Sequence, residues 1–220
     1  MPIGVPRLPG RGAWEHGLPW KWLLLATLVV VLAVAAAVFA GRLVGPKLAP
    51  STPRPRGARP AATPGAPPAF VAFRDGRTGL SIGYPAPWTR LRSTEPSVVL
   101  VAAQGDAASL LLRVVPLRTE VTSAGLSRVK PLTDRLVRSG RGVKLLAAPK
   151  PIELGGLPGY FYLYSFRDAR RRQRGIHSHY FLFAGQTLIT LVLQALPEQR
   201  FERFAPVFDR ISSTFRVGAP

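Results

Sequence analysis

The sequence predicts an α+β fold, an α/β/α sandwich with a central antiparallel sheet, preceded by a single transmembrane helix and a proline-rich linker. Three observations support this fold class. The run from Leu23 to Ala40 is apolar and uncharged, and the segment 42–69 that follows it is rich in proline. From residue 70 onward, strand-length apolar segments alternate with two segments of helical spacing. Strands and helices mixed in this way, with short connections between successive strands, are typical of α+β domains.

The amino-acid composition points to an anionic partner and excludes cysteine chemistry. The 220 residues carry 30 Lys and Arg against 11 Asp and Glu, a formal charge of +19. Such a field attracts anionic lipid, acidic polymers or nucleic acid. The excess of Arg over Lys, with abundant Ala, Gly and Pro, is also what a GC-rich genome would produce. Because the chain has no Cys, disulfides, thiolate metal sites and a Cys nucleophile are excluded.

Residues 1–19 read as a disordered N-terminal tail, and residues 20–41 as a transmembrane helix. Residues 20–41 would span about 33 Å as a helix, close to the hydrocarbon thickness of a bilayer. Trp20 and Trp22 fit an interfacial aromatic belt, and Lys21 and Arg42 bracket the span. A cleavable signal peptide ending at Val38-Phe39-Ala40 is the alternative. The apolar run is long for a signal peptide, which favours an uncleaved anchor.

The flanking charges leave the orientation of this helix open. The positive-inside rule, applied to the five basic residues that follow the span within the linker, places the C-terminal side in the cytoplasm. That rule weakens when a long domain follows. The linker itself, residues 42–69, holds eight prolines, and a polyproline-like chain of this length reaches about 90 Å. The domain beyond it would stand off from the membrane.

Residues 70–220 read as one globular domain. Two short strands come first, and a Gly105-Asp106 turn then joins two apolar strands. The spacing of Leu126, Val129, Leu132 and Leu136 predicts a helix, with either a break at Pro131 or a second helix that begins with this proline. Three successive strands follow Gly159, the last of them central. A closing helix carries an apolar stripe formed by Phe201, Phe204, Phe208, Ile211 and Phe215.

The segments GLSIGYPAPW, GGLPGYFYLYSF and FAPVFDRISSTFRV resemble the PsbP-like family. This is the fold of the extrinsic photosystem II subunit, and it is shared by bacterial lipoproteins and by a nuclear-import factor that binds Ran. The features in common are Tyr84-Pro85 with Trp88, the Gly159-Tyr160 strand start and the end of the last helix at Thr214-Phe215-Arg216. The resemblance covers about residues 70–217. It implies an α/β/α sandwich and a binding or accessory role, as a membrane-anchored bacterial member, and it transfers no catalytic residue.

The residues alone indicate no catalytic system and no cofactor. The sequence lacks a nucleophile elbow, a Walker loop and a dinucleotide fingerprint. His177 and His179 alternate on a strand and therefore share a face, where they could hold a metal only if a third ligand arrived. The competing interpretation is two exposed or partly packed histidines. Tyr84 and Trp88, and the tyrosines at 160, 162 and 164, could line a pocket or pack in the core.

The stretch RDARRRQRG is the remaining candidate site. Guanidinium groups bind phosphate and carboxylate bidentately. The tip lacks the aromatic residues that base stacking needs, which argues against nucleic acid and favours an anionic surface or a merely solvated turn. The candidate anion contacts are Arg167, Arg170, Arg171, Arg172 and Arg174.

These observations predict a membrane-anchored, non-catalytic accessory or binding module of the bacterial cell envelope. Its partners would be the membrane, through residues 20–41, and an unidentified protein or anionic envelope component. The globular domain is expected on the extracytoplasmic side of the cell membrane. The alternative is a basic domain that binds anionic lipid or nucleic acid non-specifically through the Arg-rich hairpin tip.

Overall fold

The computed structural model describes residues 68–218. The predicted tail (1–19), the transmembrane helix (20–41) and nearly all of the linker (42–69) lie outside the described residues. Between residues 68 and 218, no helix is both long enough and apolar enough to cross a bilayer.

Ten strands and two α-helices follow one another along the domain. The strands before the first helix are β1 (Phe70–Arg74), β2 (Leu80–Pro85), β3 (Thr89–Leu91), β4 (Val98–Gln104) and β5 (Ala108–Val121). Helix α1 (Leu126–Arg138) leads to β6 (Lys144–Leu145), β7 (Lys150–Leu154), β8 (Leu157–Asp168) and β9 (Gln173–Ala195). Helix α2 (Phe201–Ser213) and β10 (Arg216–Val217) close the domain.

The described strands form two antiparallel sheets. The larger has the order β3-β4-β5-β9-β8-β6, with β7 also pairing with β8, and the smaller has the order β1-β2-β10. The fold is therefore α+β with antiparallel sheets, as the sequence predicts. The small second sheet is an addition to the single central sheet that was expected.

Strand β9 folds back on itself. Its first arm pairs with β8 and its second arm with β5, and His177 Nε2 of the first arm lies 2.9 Å from Gln194 Oε1 of the second. Gly185 has a φ of 57°, and glycine at the first central position is what a tight type II′ hairpin turn requires. The three successive strands predicted from the sequence are thus β8 and the two arms of β9.

The two helices lie on opposite faces of the larger sheet. The apolar stripe of α2, including Phe204, Phe208 and Ile211, packs into a core with Leu80, Ile82 and the odd-numbered residues of the second β9 arm. Helix α1 covers the other face over the β8 tyrosines. Tyr84 and Trp88 belong to the α2 core, so they line no cavity on the α1 side.

The break or second helix start expected at Pro131 is absent. Both helices run through a proline, Pro131 in α1 and Pro206 in α2. Both prolines are exposed, so each proline ring faces solvent. The backbone carbonyl that loses its N–H donor lies on the same side of the helix, where water can donate to it. The buried apolar stripe on the opposite side of each helix outweighs the local cost.

Candidate ligand-binding cavity

Helix α1 leaves part of its sheet face uncovered, and a cavity of about 310 Å³ lies there. The C-terminal end of α1 forms one wall, and the tip of the β8–β9 hairpin forms another. The β4–β5 turn and the paired strands β5 and β9 complete it. Small-molecule sites commonly have volumes of roughly 300–1,000 Å³, so the cavity is large enough for one small ligand.

The floor of the cavity follows from strand alternation. Residues 109, 111, 113 and 115 of β5 pair with residues 194, 192, 190 and 188 of the second β9 arm, and side chains directly opposite one another point to the same face. Leu111, Val115 and Val192 are partly exposed there. Residues from β8 and the first β9 arm extend this surface, which is mainly apolar. The floor residues on those strands are Tyr164, Phe166, His177, His179 and Phe181.

An ion pair joins the two hairpin tips at one end of the cavity. Arg171 of the β8–β9 tip lies 2.6 Å from the Asp106 carboxylate of the β4–β5 turn. The Arg171 backbone N–H also donates to Asp168 at 2.7 Å. Arg171 is therefore a structural residue of the cavity wall as well as a member of the predicted arginine set.

Arg174 also has structural partners. Its guanidinium donates to the Ser165 hydroxyl and, at 3.4 Å, to the Gly142 carbonyl. It also lies 3.4 Å from the Glu198 carboxylate. Arg174 therefore ties the hairpin to the loop after α1 and to the turn before α2.

Three arginines at the mouth of the cavity leave positive charge uncompensated. Arg141, Arg167 and Arg170 are exposed and line the cavity, and no hydrogen bond or ion pair of their side chains occurs within residues 68–218. The Arg167 N–H donates to the Arg141 carbonyl at 3.0 Å, which places these two residues side by side. Arg172 is exposed at the tip with a φ of 54° and is not part of the cavity lining.

At the other side of the floor, the charge of Arg113 is compensated. Its side chain forms an ion pair with Glu95 and donates to the Ser97 hydroxyl at 2.9 Å. Arg113 is only 7% exposed, and a charge buried to this degree requires such partners. The positive potential of the cavity is thus concentrated at the end formed by the hairpin tip.

His177 and His179 are buried and bonded to one another through a tyrosine. The Tyr164 hydroxyl lies 3.1 Å from His177 Nδ1 and 3.0 Å from His179 Nδ1. Burial lowers the pKa of His177 to about 4, and it lowers that of His179 well below the ordinary value. Both rings are therefore neutral at pH 7. Their burial corrects the interpretation of two exposed or partly packed histidines.

The proton positions in this chain follow from the acceptors. Gln194 Oε1 can only accept, so His177 Nε2 carries a hydrogen and its Nδ1 accepts from the Tyr164 hydroxyl. The Tyr164 oxygen then accepts from Nδ1–H of His179. A bare acceptor remains at His179 Nε2, which is buried without a hydrogen-bond partner.

This hydrogen bonding uses three of the four imidazole nitrogens that a metal could bind. Both Nδ1 atoms contact Tyr164, and His177 Nε2 contacts Gln194. Within residues 68–218, no group of three His, Cys, Asp or Glu side chains is placed to hold a metal ion. The two histidines come together as the alternation predicts, and their partner is a tyrosine of the neighbouring strand.

The sequence did not reveal the cavity itself. Arg141, the β5 floor and the Glu95 to Arg113 ion pair were not predicted as site features. One signal was present, because Arg113 interrupts the otherwise apolar run of β5. The open sheet face depends on how far α1 reaches across it, which periodicity does not give.

Comparison with known proteins shows the fold. No family profile and no curated protein matches the sequence. Among solved structures, one match is LpqN of Mycobacterium tuberculosis, which is described as involved in cell envelope biogenesis. It is 12% identical to this chain with a TM-score of 0.52, and the match covers 69% of this chain and 91% of LpqN. PsbP (CyanoP) of Synechocystis sp. PCC 6803 is 18% identical, with a TM-score of 0.47 over 71% of this chain and 97% of CyanoP.

The Ran-binding protein Mog1p of Saccharomyces cerevisiae also matches, at 9% identity and a TM-score of 0.45, over 69% of this chain and 96% of Mog1p. The PsbP-like fold predicted from the sequence is confirmed.

Proposed function

We propose that this protein is a membrane-anchored, non-catalytic binding module of the cell envelope, and that the cavity on the open sheet face is its ligand site. The observation that carries the proposal is the cavity of about 310 Å³ with its mainly apolar floor. Apolar surface left open beside a packed core is a common mark of a binding site.

The absence of catalysis is part of the proposal, and the state of the polar groups at the cavity supports it. Arg113 and Arg171 are held in ion pairs. The two histidines are neutral and hydrogen-bonded to Tyr164 within the cavity floor. A general acid or base needs a pKa near the working pH and access to its substrate. Burial moves the pKa of both rings away from that range.

The envelope location is proposed by analogy with LpqN, which shares the fold and is described as involved in cell envelope biogenesis. The anchor would be residues 20–41, with the domain on the extracytoplasmic side. Because the natural chain has no Cys, Ser51→Cys introduces a single thiol within the linker that follows the anchor. Labelling of intact cells by a membrane-impermeant maleimide supports the placement, and labelling only after lysis contradicts it.

The ligand site is tested by photo-cross-linking of the full chain in nanodiscs of neutral phosphatidylcholine. The probe is a methyl hexadecanoate carrying a diazirine in mid-chain, which is uncharged. We expect cross-links in the floor peptides of β5 and β9, and their loss in Val192→Trp, which fills the floor. A matched Val71→Trp variant changes an exposed residue of β1 outside the cavity and should retain them. Labelling of the floor that is equal in both variants contradicts the proposal.

A second candidate function is attachment to an anionic surface through the hairpin tip. The observation that favours it is the exposure of Arg170 and Arg172. Guanidinium groups presented in this way attract anionic headgroups by about 1 kcal/mol each. The tip residues 167–175 include no aromatic side chain on which a base could stack, so lipid is favoured over nucleic acid.

A further inference from the structure

The cavity combines an apolar floor with a positively charged mouth, and this combination narrows the class of ligand. This inference rests on the proposed function, because it concerns the same cavity. Leu111, Val115 and Val192 offer only apolar contact along the floor. The uncompensated charges lie at one end, so a ligand that matches the cavity has an apolar body and a single polar terminus.

The sign of the charge at the mouth selects an anionic terminus. Five arginines and two aspartates line the cavity. Arg113 and Arg171 are neutralised by Glu95 and Asp106, whereas Arg141, Arg167 and Arg170 have no such partner within the described residues. Exposed guanidinium groups without an acidic partner bind carboxylate and phosphate through charge-assisted hydrogen bonds.

The proline-rich linker is a poor occupant of the site. Residues 42–69 carry five basic side chains and no acidic one, so the linker would bring like charge to the arginine mouth. The volume of about 310 Å³ lies at the lower end of the range for small-molecule sites, roughly 300–1,000 Å³. This size favours one hydrocarbon chain over two.

We propose that the cavity binds a single-chain lipid with an acidic headgroup, with its hydrocarbon chain on the β5 and β9 floor and its headgroup held by Arg141, Arg167 and Arg170. The shared chemistry of the class is one apolar chain and one carboxylate or phosphate monoester. Such molecules partition into the membrane to which residues 20–41 would attach the domain.

The test compares acidic and neutral probes on the full chain in neutral nanodiscs at pH 8. Three probes carry the same mid-chain diazirine: hexadecanoic acid, hexadecyl phosphate and methyl hexadecanoate. One charge-assisted hydrogen bond contributes about 1.5 kcal/mol or more, which corresponds to about a tenfold preference. We therefore expect at least one acidic probe to label the floor peptides about tenfold more than the ester, and the two acidic arms separate carboxylate from phosphate as the favoured headgroup.

Charge-removing variants show whether the mouth causes that preference. The triple variant Arg141→Gln, Arg167→Gln, Arg170→Gln should reduce acidic labelling to the level of the ester. The control is Arg128→Gln, Arg200→Gln, Arg203→Gln, which removes three exposed charges that do not line the cavity and should retain the preference. Near-ultraviolet circular dichroism confirms that both variants keep the fold.

Three outcomes overturn the inference. If acidic and neutral probes label the floor equally, the preference for an acidic headgroup is contradicted. The ligand site of the proposed function is still supported by that result. If no probe labels the floor, the inference about the acidic lipid and the proposed ligand site are both contradicted. Loss of the preference in the control variant would also overturn it, because general charge attraction would then explain the result.

Discussion

The Tyr164 hydroxyl of β8 lies 3.0 Å from Nδ1 of His179 on the first arm of β9. The same hydroxyl contacts His177 Nδ1 at 3.1 Å, so one tyrosine bridges two imidazoles. This arrangement is complete only while His177 is neutral, because protonation of His177 would turn its Nδ1 from an acceptor into a second donor. The cavity wall is therefore coupled to pH.

We expect the domain to lose stability as pH falls below about 6.5. The pKa of His177 is lowered from 6.5 to about 4 by burial, and that of His179 is lowered for the same reason. Between the two values, the unfolded chain binds protons that the folded chain does not, so the free energy of unfolding decreases as pH falls. His177 should cost about 2 kcal/mol between pH 7 and pH 5, and His179 should add to this loss in the same direction.

Urea unfolding of the full chain at the two pH values measures this effect. His16→Gln removes the one histidine outside the described residues and should leave the pH dependence unchanged. His177→Phe with His179→Phe should flatten it. An equal free energy of unfolding at pH 7 and pH 5 in the natural protein would show that the two rings titrate normally.

Tyr164→Phe should destabilise the domain by about 1–3 kcal/mol, because it leaves two buried Nδ1 groups without a partner. The matched control is Tyr160→Phe on the same strand, where the hydroxyl makes one long hydrogen bond of 3.4 Å to the Leu126 carbonyl. That change should cost at most about 1 kcal/mol. Thermal or urea unfolding decides the comparison, and equal losses in the two variants would contradict the bridging role.

Gly159→Ala should destabilise the domain by more than about 3 kcal/mol. A Cβ at this position would lie 2.1 Å from the Phe181 carbonyl oxygen, so the β8 and β9 backbones would have to separate. Gly76→Ala is the control, since a Cβ there meets nothing within 4 Å, and its effect should stay within about 0.5 kcal/mol. Unfolding of purified variants is the measurement, and a mild effect at 159 would mean that the strands are less closely paired than described.

Alanine at Arg170, Arg171 and Arg172 should change the free energy of unfolding by less than about 1 kcal/mol. The only ion pair lost among these described residues is Arg171 with Asp106, which is largely at the surface. The same variant should weaken binding of the full-chain nanodisc to anionic vesicles at low salt. Arg128→Ala with Arg200→Ala and Arg203→Ala is the control for net charge. A stability loss of several kcal/mol would show that the tip holds the fold together.

Much of the fold could be predicted from local patterns. The Gly105 turn, the apolar stripe of α2 and the alternation of β8 are all properties of neighbouring residues, and each produced a correct element. The effect of Pro131 was predicted wrongly, because a helix tolerates an internal proline on its exposed face and the sequence does not show which face that is. The second sheet depends on β10 pairing with β2, a contact between the two ends of the domain.

The candidate site was predictable only in part. The arginine tip was visible as a charge run between two strands. Its division into structural residues, such as Arg174, and exposed ones, such as Arg170, depends on partners from distant segments. Likewise, the shared face of His177 and His179 follows from alternation, whereas their burial depends on β8 and the second arm of β9.

The fold-back of β9 also determines at what stage of folding the cavity forms. The β4–β5 and β8–β9 pairings join residues that are close in the sequence. The β5–β9 pairing instead joins residues that are far apart in the sequence, such as Ala108 and Ala195. Contacts across so long a separation form slowly, because the loop between them must first be closed. We therefore expect the two halves of the floor to fold separately and to meet late. A chain emerging from synthesis would acquire its core hairpins before it could hold a ligand.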